Sequence, residues 1–214
     1  MHIEILSEDS SGKKLLEALM PQLLGVQGEP HTWRINAYKG IGRVPAGLTA
    51  KGDAANRILL DQLPRLLRGY AMTPGYEAIV VVMDADDQIP KVMLDKLNAL
   101  ALKCNAAEIT RFCLAIEETE SWYLGDREAL LKAYPRAKKD VLVRYVQDSI
   151  CGTWELLADA VYPGGAAAVK KEGWPLPGQI KHEWAEKMGP LMVVERNVSP
   201  SFGNVCAQLR HLIS

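Results

Sequence analysis

The strongest constraint on the fold is the segment Glu77–Met83, in which every residue after the glutamate is apolar. A continuous β-branched run of this length predicts a strand buried on both faces, as at the centre of a parallel sheet. Apolar stretches interrupted by polar residues at His2–Leu6, Trp33–Ala37 and Ile109–Ile116 predict three more strands. Because helical patterns lie between them, the sequence predicts an α/β fold with a mainly parallel four-stranded sheet flanked by helices.

The predicted connecting helices are Lys13–Leu24, Ala54–Tyr70 and Pro90–Cys104. Apolar residues at helical spacing, N-cap residues or a proline in the first turn mark them. Pro64 is expected to kink or divide the second helix. The glycine-rich stretch Lys39–Asp53 predicts a mildly basic loop, either an ordinary connection or a segment that contacts phosphate.

The pattern changes after Glu120. Residues 1–120 are therefore predicted to form the α/β core, and residues 121–214 an α-rich extension that packs on it. The predicted helices of the extension are Ser121–Tyr134, Lys139–Ile150, Thr153–Val161, Gln179–Met188 and Ser201–Ile213, with breaks at Pro163–Gly165 and Gly173–Gly178.

Composition limits the partners and the compartment. The 25 basic and 26 acidic residues give a net charge of −1, so no bulk positive charge holds nucleic acid nonspecifically. No apolar run approaches the roughly 20 residues of a membrane helix, and no signal-peptide pattern is present. The four cysteines have no C-x-x-C or zinc-ligand spacing. These features predict reduced thiols, a cytoplasmic location and no membrane partner.

Carboxylates follow three of the four predicted strands. Glu8 follows the first strand, Asp84 and Asp86 follow the central strand, and Glu117–Glu120 follows the last. Because functional side chains of open α/β sheets lie beyond the carboxyl ends of the strands, we expect these groups to converge. Clustered carboxylates repel unless a cation compensates them, and oxygen-only ligands suit Mg²⁺ or Mn²⁺. Asp84 and Asp86, two residues apart on an extended segment, are expected to face the same side and share a metal.

Each carboxylate group taken alone has a simpler explanation. Asp84-Ala-Asp-Asp87 before a proline-initiated helix is also typical of a turn and N-cap. Glu8 alone fits a solvated or capping residue, and Glu117-Glu118 fits a solvated turn. The coincidence at three strand ends favours the metal site.

The same residues carry a family resemblance. Glu8 after a first strand and Asp84-x-Asp86 after a hydrophobic third strand resemble the Toprim domain of topoisomerases, bacterial primases and overcoming-lysogenisation-defect nucleases. Other segments are similar to a bacterial family of Toprim-like proteins that is often encoded beside an ATPase and associated with phage defence. These segments are Leu114–Asp126, Gly152–Glu155, Lys181–Ala185 and Asn197–Phe202.

The resemblance implies metal-dependent phosphodiester chemistry, with DNA or RNA and an ATPase as partners. By position, Glu8 is implied to be a metal ligand and general acid or base, and Asp84 and Asp86 to bind the metal. The sequence departs from the family where Asp9 replaces a glycine and Ser11-Gly12 replaces a Thr-acid pair. No topoisomerase tyrosine domain is present, so strand passage is not implied.

The fourth strand end supplies further candidates under the same resemblance. Glu118 or Glu120 matches an additional carboxylate of the nuclease members. We prefer Glu120 with Glu117 as the pair of metal ligands, and we assign Lys181 a contact to phosphate or to the transition state.

Three functions from different classes remain compatible with the sequence. The first is a two-metal nuclease or phosphodiesterase. The second is a non-catalytic regulatory or toxin-like subunit that binds an ATPase and keeps an acidic pocket. The third, a sugar-nucleotide transferase using Asp84-x-Asp86, lacks an obvious nucleotide-sugar loop. Removing the seven acids of the three clusters from the net charge of −1 leaves +6, so a metal-neutralised pocket in a basic body remains compatible with nucleic acid.

Overall fold

The computed structural model describes residues 1–45 and 57–214. Its sheet has four strands, all parallel, in the order β2-β1-β3-β4. The predicted α/β fold is thereby confirmed, and the apolar run becomes β3, an interior strand buried along almost its whole length. The strands are β1 His2–Ser7, β2 Thr32–Ala37, β3 Ala78–Asp84 and β4 Thr110–Ala115.

The strand order places a switch point between β1 and β3. The chain passes from β1 to β2 on one side and then crosses to β3 on the other, so the connections diverge there and leave a crevice. Ser7 of β1 pairs with Val82 of β3, and Asp84 of β3 pairs with Ala115 of β4. The three strands that carry the acidic segments therefore end close to one another.

Ten α-helices are assigned in the described part of the chain. They are α1 Ser10–Leu24, α2 Leu59–Ala71, α3 Pro90–Lys103, α4 Glu120–Gly125, α5 Arg127–Ala133, α6 Lys139–Leu142, α7 Thr153–Val161, α8 Gly165–Glu172, α9 Leu176–Met188 and α10 Pro200–Leu212.

Two hydrophobic cores lie on opposite faces of the sheet. Helices α2 and α3 cover one face, where Leu63 and Leu97 belong to the same buried cluster as Val81. Helix α1 and the C-terminal helices cover the other face, where Trp184 and Val80 share a cluster. The helical region 121–214 thus packs on the sheet through a continuous apolar core.

Helix α1 begins earlier than predicted because Asp9 caps it. The Asp9 carboxylate accepts hydrogen bonds from the Gly12 amide at 2.7 Å and from the Ser11 hydroxyl at 2.6 Å. A Cβ on Gly12 would lie 2.6 Å from the Ser7 Oγ, so only glycine allows the helix to begin this close to β1. Asp9, which departs from the Toprim pattern, therefore has a structural role.

Helix α2 runs unbroken from Leu59 to Ala71 with Pro64 inside it, so the predicted division does not occur. Pro64 lies in the second turn, close to the helix start, where few backbone bonds are lost. The predicted start at Ala54 and the loop beyond residue 45 lie outside the described residues.

The predicted helix Ser121–Tyr134 is two helices. The chain turns at Asp126, whose carboxylate accepts a hydrogen bond from the Ala129 amide at 3.1 Å and caps α5. The predicted helix Lys139–Ile150 is also wrong beyond its first turn, because α6 ends at Leu142.

Two glycine- and proline-rich segments that the sequence predicted as breaks contain the starts of helices. Helix α8 was not predicted; it starts at Gly165, and Asp159 accepts a hydrogen bond from the Ala166 amide at 2.8 Å. Helix α9 starts at Leu176, within the second predicted break, because proline is compatible with a first helical turn.

Segments that carry the family resemblance form a buried polar seam between α4 and α10. The Trp122 indole donates to the Ser201 hydroxyl at 3.0 Å, and the Asn197 amide donates to the Trp122 carbonyl at 2.8 Å. Asp148 accepts from the Ser199 hydroxyl at 2.8 Å and from the Ser201 amide at 2.7 Å. Both segments therefore stabilise the packing of α4 against α10.

All four cysteines are free thiols, and Cys104, Cys113 and Cys206 are buried. Across residues 1–45 and 57–214, no helix combines the length and apolarity needed to cross a bilayer.

Candidate functional site

Glu8 and Asp84 meet at the switch point between β1 and β3. The Asp84 amide donates a hydrogen bond to Glu8 Oε2 at 3.0 Å. The Glu8 backbone is held on both sides, since its amide donates to the Val82 carbonyl and its carbonyl accepts from the Gly40 amide. The backbone therefore fixes this glutamate at the crevice.

Asp84 is tied to the end of β4 through Thr119. Its Oδ1 accepts one hydrogen bond from the Thr119 amide at 2.9 Å and another from the Thr119 hydroxyl at 2.6 Å. Sequence reasoning did not identify Thr119, although it lies within the predicted acidic segment. Together with the bond from the Asp84 amide to Glu8, these contacts connect all three strand ends that carry carboxylates.

Lys181 of α9 supplies the cation at this edge. Its Nζ lies 3.1 Å from Glu118 Oε1 and 3.3 Å from Glu120 Oε2. Glu120 is buried, with 2% of its surface exposed. The structure thus brings Lys181 and Glu120, both candidates from sequence, into contact, and it adds Glu118, which the sequence left as an alternative.

We call five carboxyl groups and the lysine near them the acidic cluster. The charge of Lys181 acts on each of the five carboxyl groups, so all lie within its electrostatic range. The members are Glu8, Asp84, Asp86, Glu118, Glu120 and Lys181.

One ammonium group does not neutralise this cluster. Burial raises the pKa of Glu8 to about 7. Burial, and then the charge of Glu120, raise the pKa of Glu118 to about 7, although Lys181 opposes the shift. Burial followed by the charges of Glu8 and Glu120 raises the pKa of Asp84 well above its usual value. The cluster therefore favours bound protons or a further cation.

Lys181 shows the reciprocal effect. Burial alone would lower its pKa, but the charges of Glu120 and Glu118 outweigh burial and raise it. Lys181 is consequently protonated and positively charged at neutral pH.

Asp86 does not share the orientation of Asp84, so the expectation of an extended pair is wrong. Strand β3 ends at Asp84, and Asp86 has a left-handed backbone with φ of 48°. Its amide donates to the Glu117 carbonyl at 2.8 Å, and Glu117 is also left-handed, with φ of 57°. Partial desolvation and the charge of Asp87 raise the pKa of Asp86. Asp86 and Glu117 belong to different loops, and both have positive φ where the loops meet. Such a pair of non-glycine residues marks a constrained backbone.

Glu117, which the sequence predicted as a metal ligand, has a structural task. Its carboxylate accepts hydrogen bonds from the amides of Cys151, Gly152 and Thr153, and from the Thr153 hydroxyl. Burial opposes ionisation, but these hydrogen bonds outweigh it and lower the pKa of Glu117. Glu117 therefore holds the start of α7 beside the acidic cluster.

A cleft of about 1090 Å³ opens beside the acidic cluster; we call it the Trp174 cleft. Glu8 and Lys181 line it, together with residues that follow β1 and β2 and the first half of α9. A separate depression of about 240 Å³ is lined by Asp86, Glu118 and residues near the start of α7. The acidic cluster is thus accessible from two sides.

The donor chemistry of the acidic cluster fits a hard divalent cation, because all its candidate ligands are carboxylate oxygens in excess over positive charge. The arrangement is not preassembled: across the two described ranges, no three acidic, histidine or cysteine side chains form a group that could hold a metal ion. Binding would require the carboxylates around Lys181 to move closer together.

No protein-family model matches the chain, and neither a curated protein nor a solved structure is significantly similar to it. Functional assignment therefore depends on the chemistry and geometry of the acidic cluster.

We expect the metal-free protein to be more stable near pH 5 than near pH 8. Folding raises the pKa of Glu8 and of Glu118 from about 4.5 to about 7, so the folded state binds more protons across this interval. Stability must then fall as the pH rises through it. Urea unfolding in the presence of a chelator measures the slope.

The double variant Glu8→Gln/Glu118→Gln is the matched test for this slope. Glutamine can still accept the backbone hydrogen bonds made by both carboxylates but does not titrate. We expect a flatter pH profile for this variant. An unchanged profile would place the titration elsewhere in the protein.

Proposed function

We propose that this protein is a metal-dependent phosphodiesterase of the nuclease type, using Mg²⁺ or Mn²⁺. The observation that carries the proposal is the acidic cluster, where five carboxyl groups share one lysine at the switch point of a parallel sheet. Ligands of α/β proteins bind at such points. An uncompensated cluster of carboxylates is also the environment that concentrates a divalent cation.

The residues of the cluster suit different tasks. Asp84 and Glu120 would hold the metal, and Asp86 would join them once the carboxylates around Lys181 move closer together. A bound divalent cation lowers the pKa of water and stabilises charge on a phosphoryl oxygen. Glu8 lines the cleft at the edge of the acidic cluster, where it can take a proton from water and return one to a leaving oxygen. Lys181 lines the cleft, where its ammonium group can donate to a phosphate oxygen.

The resemblance to Toprim-like proteins supports the same chemistry and suggests partners. Nucleic acid is the proposed substrate, and an ATPase is a proposed partner that would contribute grip on it. The near-neutral net charge of −1 is consistent with a protein that does not grip nucleic acid by bulk charge alone.

A specific observation favours a second candidate, a non-catalytic subunit. Lys181 already occupies the acidic cluster, and no group of three ligating side chains is preassembled within residues 1–45 and 57–214. In that case the lysine is the permanent counter-ion and the cluster serves folding or partner binding.

Calorimetric titration with Mn²⁺ separates the two candidates. For the enzyme we expect binding and a higher melting temperature, since a ligand at about 100 times its dissociation constant stabilises by about 2.7 kcal/mol. Asp95→Asn, an exposed replacement on α3, is the control and should bind Mn²⁺ as the wild type does. Absence of binding at millimolar metal would favour the non-catalytic subunit.

A further inference from the structure

Trp174 is an unusually exposed aromatic side chain, with 84% of its surface accessible. It precedes α9 and lines the Trp174 cleft together with Pro175, Pro177 and Gly178. A Cβ on Gly178 would lie 3.4 Å from the Cζ3 and Cη2 atoms of the indole. The ring therefore rests against the first turn of α9 while most of its surface stays free.

The acidic residues of the Trp174 cleft are mostly engaged. Asp9 caps α1, Glu183 forms an ion pair with Lys187, and Glu186 forms one with Lys14. Because these three acids are capping or paired, they repel an anionic ligand less than three unpaired carboxylates would.

Lys39 provides a further cation in the lining of the Trp174 cleft. It follows β2, is exposed, and its ammonium group has no acidic partner among residues 1–45 and 57–214. Glu8, Lys181 and Lys39 thus line the same cleft as the indole. Lys181 lies about 7.5 Å along the axis from the first residue of α9.

We propose that the Trp174 cleft binds single-stranded nucleic acid, with an unpaired base stacked on Trp174 and its backbone phosphate between Lys39 and the acidic cluster. This inference rests on the proposed phosphodiesterase function and names its substrate class. A free aromatic face beside a cation is the arrangement that captures splayed bases. Bases inside a duplex are stacked on their neighbours and do not offer a free face, so a single strand fits and an intact duplex does not.

The test compares wild type with Trp174→Ala and Trp174→Phe by fluorescence anisotropy. The probes are labelled oligodeoxythymidine, oligouridine and a DNA duplex of equal length, with Ca²⁺ replacing the catalytic metal. We expect Trp174→Ala to weaken single-strand binding roughly 5- to 150-fold, the range for loss of one stacked base, and Trp174→Phe to restore most of it. Met72→Ala, which truncates an exposed apolar side chain outside the cleft, should bind as wild type does.

The DNA and RNA probes identify which single strand is preferred, and the duplex probe should bind more weakly than both. Equal binding of the duplex, or wild-type affinity of Trp174→Ala, overturns the inference. With Mn²⁺, cleavage by Trp174→Ala should show a higher KM at nearly unchanged kcat. If wild type binds single strands through Trp174 but cleaves none of them with any metal, the proposed function fails while the binding site stands.

Discussion

The Asp84→Asn variant is expected to lose Mn²⁺-dependent phosphodiester hydrolysis by on the order of 10³-fold, because a metal contributes several kcal/mol to transition-state stabilisation. The asparagine oxygen can still accept both hydrogen bonds from Thr119, so the local backbone is retained. The effect should fall on kcat, measured with a labelled oligonucleotide at saturating concentration. Asp95→Asn should leave the rate unchanged.

Thermal unfolding separates loss of chemistry from loss of structure in this variant. Without metal and near pH 8, Asp84→Asn should melt at a higher temperature than wild type. The reason is that Asp84 is buried beside Glu8 and Glu120, which raise its pKa, so its ionisation costs stability. An inactive and more stable variant supports the proposed site. Full activity in Asp84→Asn would refute it, and a lower melting temperature would show that the carboxylate serves the fold.

The second large effect is expected for Asp126→Ala, which should lower the free energy of unfolding. The buried carboxylate accepts hydrogen bonds from the Val193 amide at 3.0 Å, from Arg196 at 2.8 and 2.9 Å, and from the Ala129 amide that starts α5. Removing it leaves two amides without their partner, and Arg196 keeps its exposed pair with Glu128 and its bond to the Leu191 carbonyl. We expect a loss of about 3 kcal/mol in the free energy of unfolding, the lower end for a buried ion pair because Arg196 is partly exposed. Urea denaturation monitored by circular dichroism measures it.

Glu128→Ala is the matched control for this prediction. Glu128 also pairs with Arg196, at 2.9 Å, but its side chain is 71% exposed. An exposed pair contributes at most about 1 kcal/mol, so the control should be nearly neutral. Equal losses in the two variants would mean that the charge of Arg196, and not the buried network around Asp126, determines the effect.

Local patterns in the sequence were sufficient for the sheet. The β-branched run of β3 and the alternation of strands with helices specify a parallel α/β fold, because a strand apolar on both faces must be covered on both faces. Glu8 and Asp84 could also be located, since the rule for strand ends depends only on where each strand stops.

Those local patterns could not predict contacts between segments that are distant in the sequence. The Thr153 segment that binds Glu117 lies 36 residues away, and Lys181 lies 63 residues from Glu118. No local signal distinguishes a glutamate that caps a distant helix from one that faces a crevice. The left-handed backbone of Asp86 likewise accompanies a bridge to Glu117, a residue distant in the sequence.

The C-terminal helices share the apolar core of β1 and β3, and they also deliver Lys181 to the acidic cluster. A chain cut after residue 120 would expose the part of this sheet face that α1 does not cover and would leave the remaining carboxylates without their cation. Because they share one core, we expect the two regions to unfold together, so that unfolding of α9 also removes Lys181 from the acidic cluster.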